Sequence, residues 1–340
     1  MSRGGAMRVR GKSVKGWGGV GAMAALVGVL ALAVALLLPL ARQHRDGTVA
    51  PGGQAARVTQ AAADDCPSPE AQTLRPATAD GATITAIKAR TGEKRKLIVG
   101  VDQNSYRWGY RNPNNKGAAL EGFDIDLVHR IAKDILGDEN AVQFRAIPTN
   151  ERIPAIQRGE VDMVVRTMTI TCDRIEQVAF SAPYFKTGQQ VLAPKEALEI
   201  TGFDKSLAGK KVCVAAGSTA KTKLDENNQG AKLLVVPNQL DCLVRLQLGE
   251  ADAVITDGAL AASQAAQDPT VELKGKAFTT EFYGVAMKKD ANDLVSRVNQ
   301  VLSQYRSDGW QAAYDKWLSP TMGSNSAPYL PPTPRYLRTS

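Results

Sequence analysis

Between residues 160 and 174 the chain changes character: Glu160-Val-Asp-Met-Val-Val-Arg-Thr-Met-Thr-Ile-Thr-Cys-Asp-Arg174. Val161 to Val165 is the β-branched, apolar kind of run that fills a buried parallel strand, and Arg166, Thr167, Thr169, Thr171 and Arg174 follow at once. In an open α/β sheet, ligands sit beyond the carboxyl ends of the strands. Two guanidiniums and three hydroxyls delivered there can grip a small carboxylate, because arginine presents a planar fork of donors that matches it bidentately. The same residues would also suit a polar loop whose arginines pair with surface acids.

The elements around this segment read as a short alternation. Lys96-Leu-Ile-Val-Gly-Val101 is a strand ending in Asp102, and Phe123 to Leu136 spaces Ile125, Val128, Ile131, Ala132 and Ile135 as a helix that stops at Gly137. Val142 to Ile147 is a strand, Glu151 to Arg158 a short helix and Val161 to Val165 a strand, which predicts parallel pairing through crossover helices. Ser181 to Phe185 and Gln189 to Ala193 read as extended. A second set follows: Lys211 to Ala215, a Gly217-Ser-Thr219 loop opening a helix, Leu233 to Val236, a helix over 241–248, and Ala253 to Thr256 ending at Asp257. Ile153-Pro-Ala-Ile-Gln-Arg-Gly-Glu-Val-Asp in the first set is echoed by Leu243-Val-Arg-Leu-Gln-Leu-Gly-Glu-Ala-Asp in the second, so the chain predicts two α/β lobes with a cleft between them. Boundaries fall at 81–187 and 283–318 for lobe one and 188–282 for lobe two. A last amphipathic helix over 294–318 carries Trp310 and Trp317 as packing residues.

The ends differ from this body. The net charge is +8, but Arg3, Arg8, Arg10, Lys12 and Lys15 supply five positive charges before residue 20, and Arg335 and Arg338 two more, leaving +1 for the remainder. Nucleic-acid binding would need a basic cluster on the folded body, and none is indicated. Val20 to Leu40 has no charged residue and is long enough to span a bilayer as a helix. The basic segment 1–19 would hold the amino terminus in the cytoplasm, so 20–40 reads as an uncleaved anchor or, if cleaved, a signal segment, with the lobes outside the cell. Residues 41–80 read as a flexible stalk and 319–340 as a Pro-rich, unfolded tail. Export makes Cys66, Cys172, Cys213 and Cys242 legible as disulfides, with three pairings open. Cys213 lies in a strand and Cys242 at the start of a nearby helix, which favours pairing these two and leaves Cys66 with Cys172; buried free thiols are the alternative.

Gly122-Phe-Asp-Ile-Asp-Leu127, Ile153-Pro-Ala-Ile-Gln-Arg-Gly-Glu-Val-Asp162, Met168-Thr-Ile-Thr171 with Arg174, Phe180-Ser-Ala-Pro-Tyr184 and Gly217-Ser-Thr219 resemble the family 3 extracellular solute-binding proteins of polar amino-acid ABC transporters, from about residue 96 to 318 and most closely in their actinobacterial glutamate-binding branch. The resemblance implies a type II periplasmic-binding-protein fold, two doubly wound lobes joined by two hinge strands that close on a ligand. It implies that Arg174 holds an α-carboxylate with Thr169 assisting, that Asp257 takes the α-ammonium, and that Ser218 and Thr219 add donors at a helix amino terminus. Asp102 and Trp108 fall in the first-strand pocket, with the aromatic covering the ligand. Thr149, Arg152, Arg166 and Thr167 complete the set. Arg166 stands where relatives carry a small residue, so an extra positive charge favours glutamate, then aspartate; Asp102 could instead favour a cation or neutralise Arg166.

The resemblance further implies a free amino acid as ligand, permease and ATPase subunits as partners, a monomer, and no cofactor or metal. A membrane-tethered sensor read by another membrane protein is the alternative. A dehydratase on the same fold is the enzymatic one, disfavoured because His44 lies in the stalk and His129 on the first helix, away from any cleft.

Overall fold

The computed structural model describes residues 66–115 and 117–339. The expected cytoplasmic segment, the apolar run at 20–40 and the stalk up to residue 65 lie outside the described residues. Among those described, no helix is long and apolar enough to cross a membrane.

In chain order the strands are β1 (Leu97–Val101), β2 (Asn104–Ser105), β3 (Gly109–Tyr110), β4 (Val142–Ala146), β5 (Met163–Val164), β6 (Ala179–Phe180) and β7 (Phe185–Thr187). They continue with β8 (Gln189–Pro194), β9 (Lys211–Ala215), β10 (Lys232–Val236), β11 (Ala253–Asp257), β12 (Val271–Lys274), β13 (Glu281–Tyr283) and β14 (Ala286–Met287). One sheet runs β4-β1-β5-β14-β6 and a second β10-β9-β11-β8-β12, while β2 pairs with β3 and β7 with β13. The antiparallel β7–β13 pair is where the chain leaves the first sheet for the second and where it returns.

The sheets are not wholly parallel, as the alternation predicted. β4 and β5 flank β1 in parallel and β10 and β11 flank β9 in parallel, but β14 runs antiparallel to β5 and β6, and β8 antiparallel to β11 and β12. β8 and β14 each enter a sheet directly from a crossover strand, with no helix to turn the chain around, so they run against their neighbours.

The helices are α1 (Ala82–Lys88), α2 (Phe123–Leu136), α3 (Arg152–Gln157), α4 (Cys172–Ile175), α5 (Thr219–Glu226), α6 (Gln239–Gln247), α7 (Gly258–Gln267), α8 (Asn292–Asp308), α9 (Trp310–Ala313) and α10 (Ser319–Met322). α2 turns Ile125, Val128, Ile131 and Ile135 onto the first sheet and stops at Gly137, whose φ of 79° and N–H to the Lys133 carbonyl end the helix. Ile84 and Ile87 of α1, Leu97 and Val99 of β1, and Val295 and Val298 of α8 join the same core. Each such side chain contributes about 1.5–3 kcal/mol by leaving water. The second lobe has its own layers, with Val212, Val214 and Ile255 on one face of the sheet and Val254, Leu243 and Leu246 on the other. The long final helix of the sequence reading is broken at Gly309 and resumes as α9, a five-residue π-helical stretch (Tyr314–Leu318) and α10.

Both expected loose segments prove ordered where described. Thr73 donates to the Phe180 carbonyl (2.7 Å), Asn299 of α8 donates to Thr73 Oγ1 (2.9 Å) and to the Leu74 carbonyl (2.6 Å), and Ala77 N–H meets the Ser296 carbonyl. Residues 66–80 are therefore packed on the first lobe, and α1 follows them. The Pro-rich tail lies alongside: Leu337 N–H and Arg338 N–H bond the carbonyls of Ala71 and Thr73, and the Tyr329 ring stacks on Phe185 at 5.7 Å. Its prolines forbid a helix without forbidding an extended chain that finds partners for its remaining N–H groups.

Cys66 is bonded to Cys172, 106 residues away, and Cys213 of β9 to Cys242 of α6. Closing so long a loop stabilises by roughly 2–5 kcal/mol, chiefly through the unfolded chain. Urea unfolding of the Cys66→Ser/Cys172→Ser protein is expected at a clearly lower midpoint, and a midpoint equal to the parent's would show the link to be idle.

Candidate functional site

The carboxyl ends of β1 and β5 deliver polar side chains to the seam between the lobes. After β5 the chain passes Thr167, whose φ of 41° is unusual for a β-branched residue. It is held there by its N–H bonding the Asp124 carboxylate (3.1 Å), which also accepts from the Tyr184 hydroxyl (2.9 Å). Asp124 lies in the first turn of α2 and is wholly buried; burial pushes its carboxyl up to about 7 against the pull of those two donors. The Gly122-Phe-Asp motif thus works beneath the site: at Gly122 a Cβ would lie 2.3 Å from the Trp108 carbonyl oxygen.

Thr149, Arg152, Arg166, Thr167, Thr169, Arg174, Ser218, Thr219 and Asp257 line one cleft, joined by Gln189, Gln239 and the apolar Leu260 and Ile255. The space these side chains leave is a cavity of only about 30 Å³, well below the ~300–1,000 Å³ of ligand pockets, so the two lobes stand close together here. Two expected members stand back from it. Trp108 does not cover the cleft: it is fully buried, edge-on to Phe185 (4.8 Å), Phe123 (5.5 Å) and Tyr283 (5.7 Å). The β2–β3 hairpin, turning at Arg107 with φ 67°, folds the indole inward. Asp102 lies behind the lining and pairs with Arg166.

That pair settles what Arg166 does. Its Nη2 meets Asp102 Oδ2 at 2.8 Å and Asn238 Oδ1 at 3.1 Å, and its Nη1 donates to Thr149 Oγ1 at 3.0 Å. Burial raises the Asp102 carboxyl, but the Arg166 charge, the Asn104 N–H, Ser105 and Gln239 outweigh it and hold the group below its ordinary value. The extra positive charge expected from Arg166 is therefore neutralised inside the protein.

Arg152 and Arg174 are placed differently. Arg174 donates to the carbonyls of Thr169 (2.6 Å) and Gly217 (2.9 Å), and Arg152 to those of Thr149 (2.9 Å), Arg166 (3.4 Å) and Gly217 (3.2 Å). Among the described residues neither forms an ion pair with a carboxylate, although both are buried. Burial lowers both guanidiniums; for Arg152 the neighbouring Arg174 and Arg166 charges lower it further, whereas Glu281 and Asp257 support Arg174. Gly217 receives both arginines of the first lobe on one carbonyl, and its φ of +70° and a Cβ position 3.0 Å from Asn150 Cα leave no room for a side chain.

Across the cleft, Asp257 ends β11, accepting hydrogen bonds from Gln189 Nε2 and the Tyr283 hydroxyl. Burial first, and then the Glu281 charge, push its carboxyl up to about 7 against Tyr283, Arg152 and Arg174. Ser218 caps α5 by accepting from the Lys221 N–H (3.1 Å), and Thr219 donates to Glu281 Oε2 (2.8 Å). Gln189, Gln239, Glu281 and Tyr283 were not singled out in the sequence. For Gln239 a signal existed, because Asn238 and Asp241 form a capping box that fixes the start of α6 at the cleft. Glu281 stood as one acid in a Thr279-Thr-Glu-Phe-Tyr283 run of no periodicity.

Two α/β lobes, two crossover strands and a charged seam between them define a two-lobed ligand-binding protein. The family model of the bacterial extracellular solute-binding proteins, family 3, matches residues 97–320, and the chain belongs to that family. It is 37% identical over 237 residues to the ABC transporter glutamine-binding protein GlnH of Bacillus subtilis, covering 69% of this chain and 84% of that protein. It is 29% identical to the glutamate-binding protein GluB of Corynebacterium efficiens, over 72% of this chain and 88% of that one. Among solved structures, a solute receptor for L-cysteine of Neisseria gonorrhoeae superposes with a TM-score of 0.68 at 30% identity, covering 74% of this chain and all of that one.

Breaking one side of a buried ion pair leaves a stranded charge and costs about 3–5 kcal/mol. Arg166→Met is therefore expected to lose about that much stability in urea unfolding, and Arg166→Met/Asp102→Asn less than the sum of the two single changes; strict additivity would mean that the pair is not coupled.

Proposed function

We propose that the cleft binds an acidic amino acid outside the cell, glutamate ahead of aspartate, and delivers it to an ABC-transporter permease. The observation that carries this reading is the difference between the arginines: Arg166 is paired with Asp102, whereas Arg152 and Arg174 meet only backbone carbonyls. Buried cations call for anions, and two such forks in one cleft suit a ligand with two carboxylates. Arg174, with the amino terminus of α5, takes the α-carboxylate, where the helix dipole favours negative charge, while the Thr169 hydroxyl donates its one proton to Glu281 beside it. Asp257 takes the α-ammonium. Arg152, with Thr149 near it, takes the side-chain carboxylate, so the selectivity expected of Arg166 passes to Arg152. Glutamine, whose amide oxygen offers Arg152 a neutral acceptor, is the next ligand.

The reading is of a binder without catalysis: the titratable groups of the cleft are arginines and carboxylates held by hydrogen bonds, and His129 lies at the surface against the Glu139 carbonyl. The run at 20–40 would anchor the protein in the membrane. A sensor role shares this ligand chemistry and gains support from the Cys66–Cys172 bond, which joins the chain beyond the anchor to the turn bearing Arg174; co-purification of a permease and ATPase, or of a regulatory membrane partner, separates the two.

Calorimetry of the intact protein against the twenty amino acids tests the reading. Glutamate is expected to bind, Arg174→Ala and Asp257→Ala to abolish binding, and Arg152→Ala to weaken glutamate by about 10- to 100-fold and glutamine less. Absence of binding to every amino acid would sink it. The affinity also depends on pH with a fixed sign: the Asp257 carboxyl titrates at about 7 in the free protein, and an ammonium bound to it favours the ionised form. Binding then releases a proton below that pH, so affinity is full above about 7 and falls as pH drops through it, by up to about tenfold per unit. An affinity flat across neutrality would remove Asp257 from the ammonium.

A further inference from the structure

Glu281 opens β13, the strand by which the chain returns to the first lobe, and it is 5% exposed. Its Oε2 accepts from Thr169 Oγ1 (2.5 Å) and Thr219 Oγ1 (2.8 Å), and its Oε1 from Gln189 Nε2 (2.9 Å) and Thr279 Oγ1 (3.3 Å). Thr169 follows β5 in the first lobe, Thr219 heads α5 in the second, and Gln189 begins β8 beside the outgoing crossover. One buried carboxylate, with no cation paired to it among the described residues, thus collects three cleft-lining side chains from both lobes while standing on the hinge itself. Thr169 is held to the same strand by its backbone, through a bridge to Tyr283. A rotation of the lobes about β7 and β13 carries Thr169 away from Thr219, so Glu281 can keep both hydroxyls only while the lobes are together.

We propose that Glu281 is a positioning residue that latches lobe closure, its carboxylate drawing Thr169 of one lobe and Thr219 and Gln189 of the other into the register that the ligand meets. This rests on the amino-acid-binding reading above for its ligand, though not for its geometry. Glu281 also faces Asp257 through their shared donor, Gln189 Nε2. Around Asp257 stand Gln189 and the Tyr283 hydroxyl as donors, Arg152 and Arg174 as cations, and Glu281 as an acid. Removing the Glu281 charge therefore lets Asp257 ionise at lower pH, an electrostatic consequence that a purely packing residue would not have.

Three proteins are compared at full length: the parent, Glu281→Gln, which keeps the size and loses the charge, and Glu281→Asp, which keeps the charge and loses the reach. Small-angle scattering of the ligand-free proteins is expected to show both variants more open than the parent. Calorimetry with glutamate is expected to show affinity lower by about 10- to 100-fold in both at pH well above neutrality. The acidic limb should move below about 7 in Glu281→Gln and stay nearer the parent's in Glu281→Asp. Unchanged scattering in both variants overturns the latch. Weaker binding with an unmoved limb in Glu281→Gln reduces Glu281 to packing and overturns it as well. If the parent binds no amino acid, the ligand reading fails while the scattering still decides the latch. Should Glu281→Gln not fold, Glu281→Asp and Thr219→Val carry the scattering comparison, each expected to open the lobes.

Discussion

Charge buried between two lobes is the constraint on which the rest of this structure depends. Arg152, Arg166 and Arg174 and the carboxylates of Asp102, Asp124 and Asp257, with Glu281, are all less than 10% exposed. An unpaired ion in such a place costs several kcal/mol, so the surrounding elements end where they can supply partners. Asp102 directly follows β1, Asp124 lies in the first turn of α2, β11 ends at Asp257 and β13 begins at Glu281. Short strands and abrupt turns at the seam follow from this need, since each polar side chain must emerge at the one level where an opposite lobe can meet it.

Beneath the charged layer lies an apolar one that fixes its geometry. Trp108 packs on Tyr283, whose hydroxyl reaches Asp257, and the Tyr184 hydroxyl reaches Asp124, which in turn holds the Thr167 turn. The aromatic cluster continues through Phe185 to Trp310 and Tyr329. The tail therefore touches the crossover strand β7 directly, and the hinge is built into the core of the first lobe rather than strung between two independent bodies.

The alternation of apolar strands and amphipathic helices made two α/β lobes legible, because each period is set by local geometry. Strand direction was less legible: β8 and β14 follow crossovers rather than helices, and a short apolar run carries no mark of its polarity. The arginines and threonines after β5 announced a polar site through their density, but not their partners. Asp102 and Arg166 lie 64 positions apart, so the sequence could offer their pairing only as one alternative, and the fold shows that it is the one taken. Gln189 and Glu281 escaped notice because each is a single polar residue at a strand end, with meaning only through the other lobe. The order in residues 66–80 and in the tail was hidden for a similar reason: their backbone partners lie in each other and in α8, so neither segment has a periodicity of its own.

Cys66 is the first of the described residues, and its sulfur is bonded to the four-residue helix that also bears Arg174. Tension applied to the chain ahead of Cys66 does not first have to unravel residues 67–171; it passes through one covalent bond into the turn that aims a guanidinium at the cleft. The disulfide and the candidate site share a helix, so a pull on the chain ahead of Cys66 reaches Arg174 through a single covalent bond.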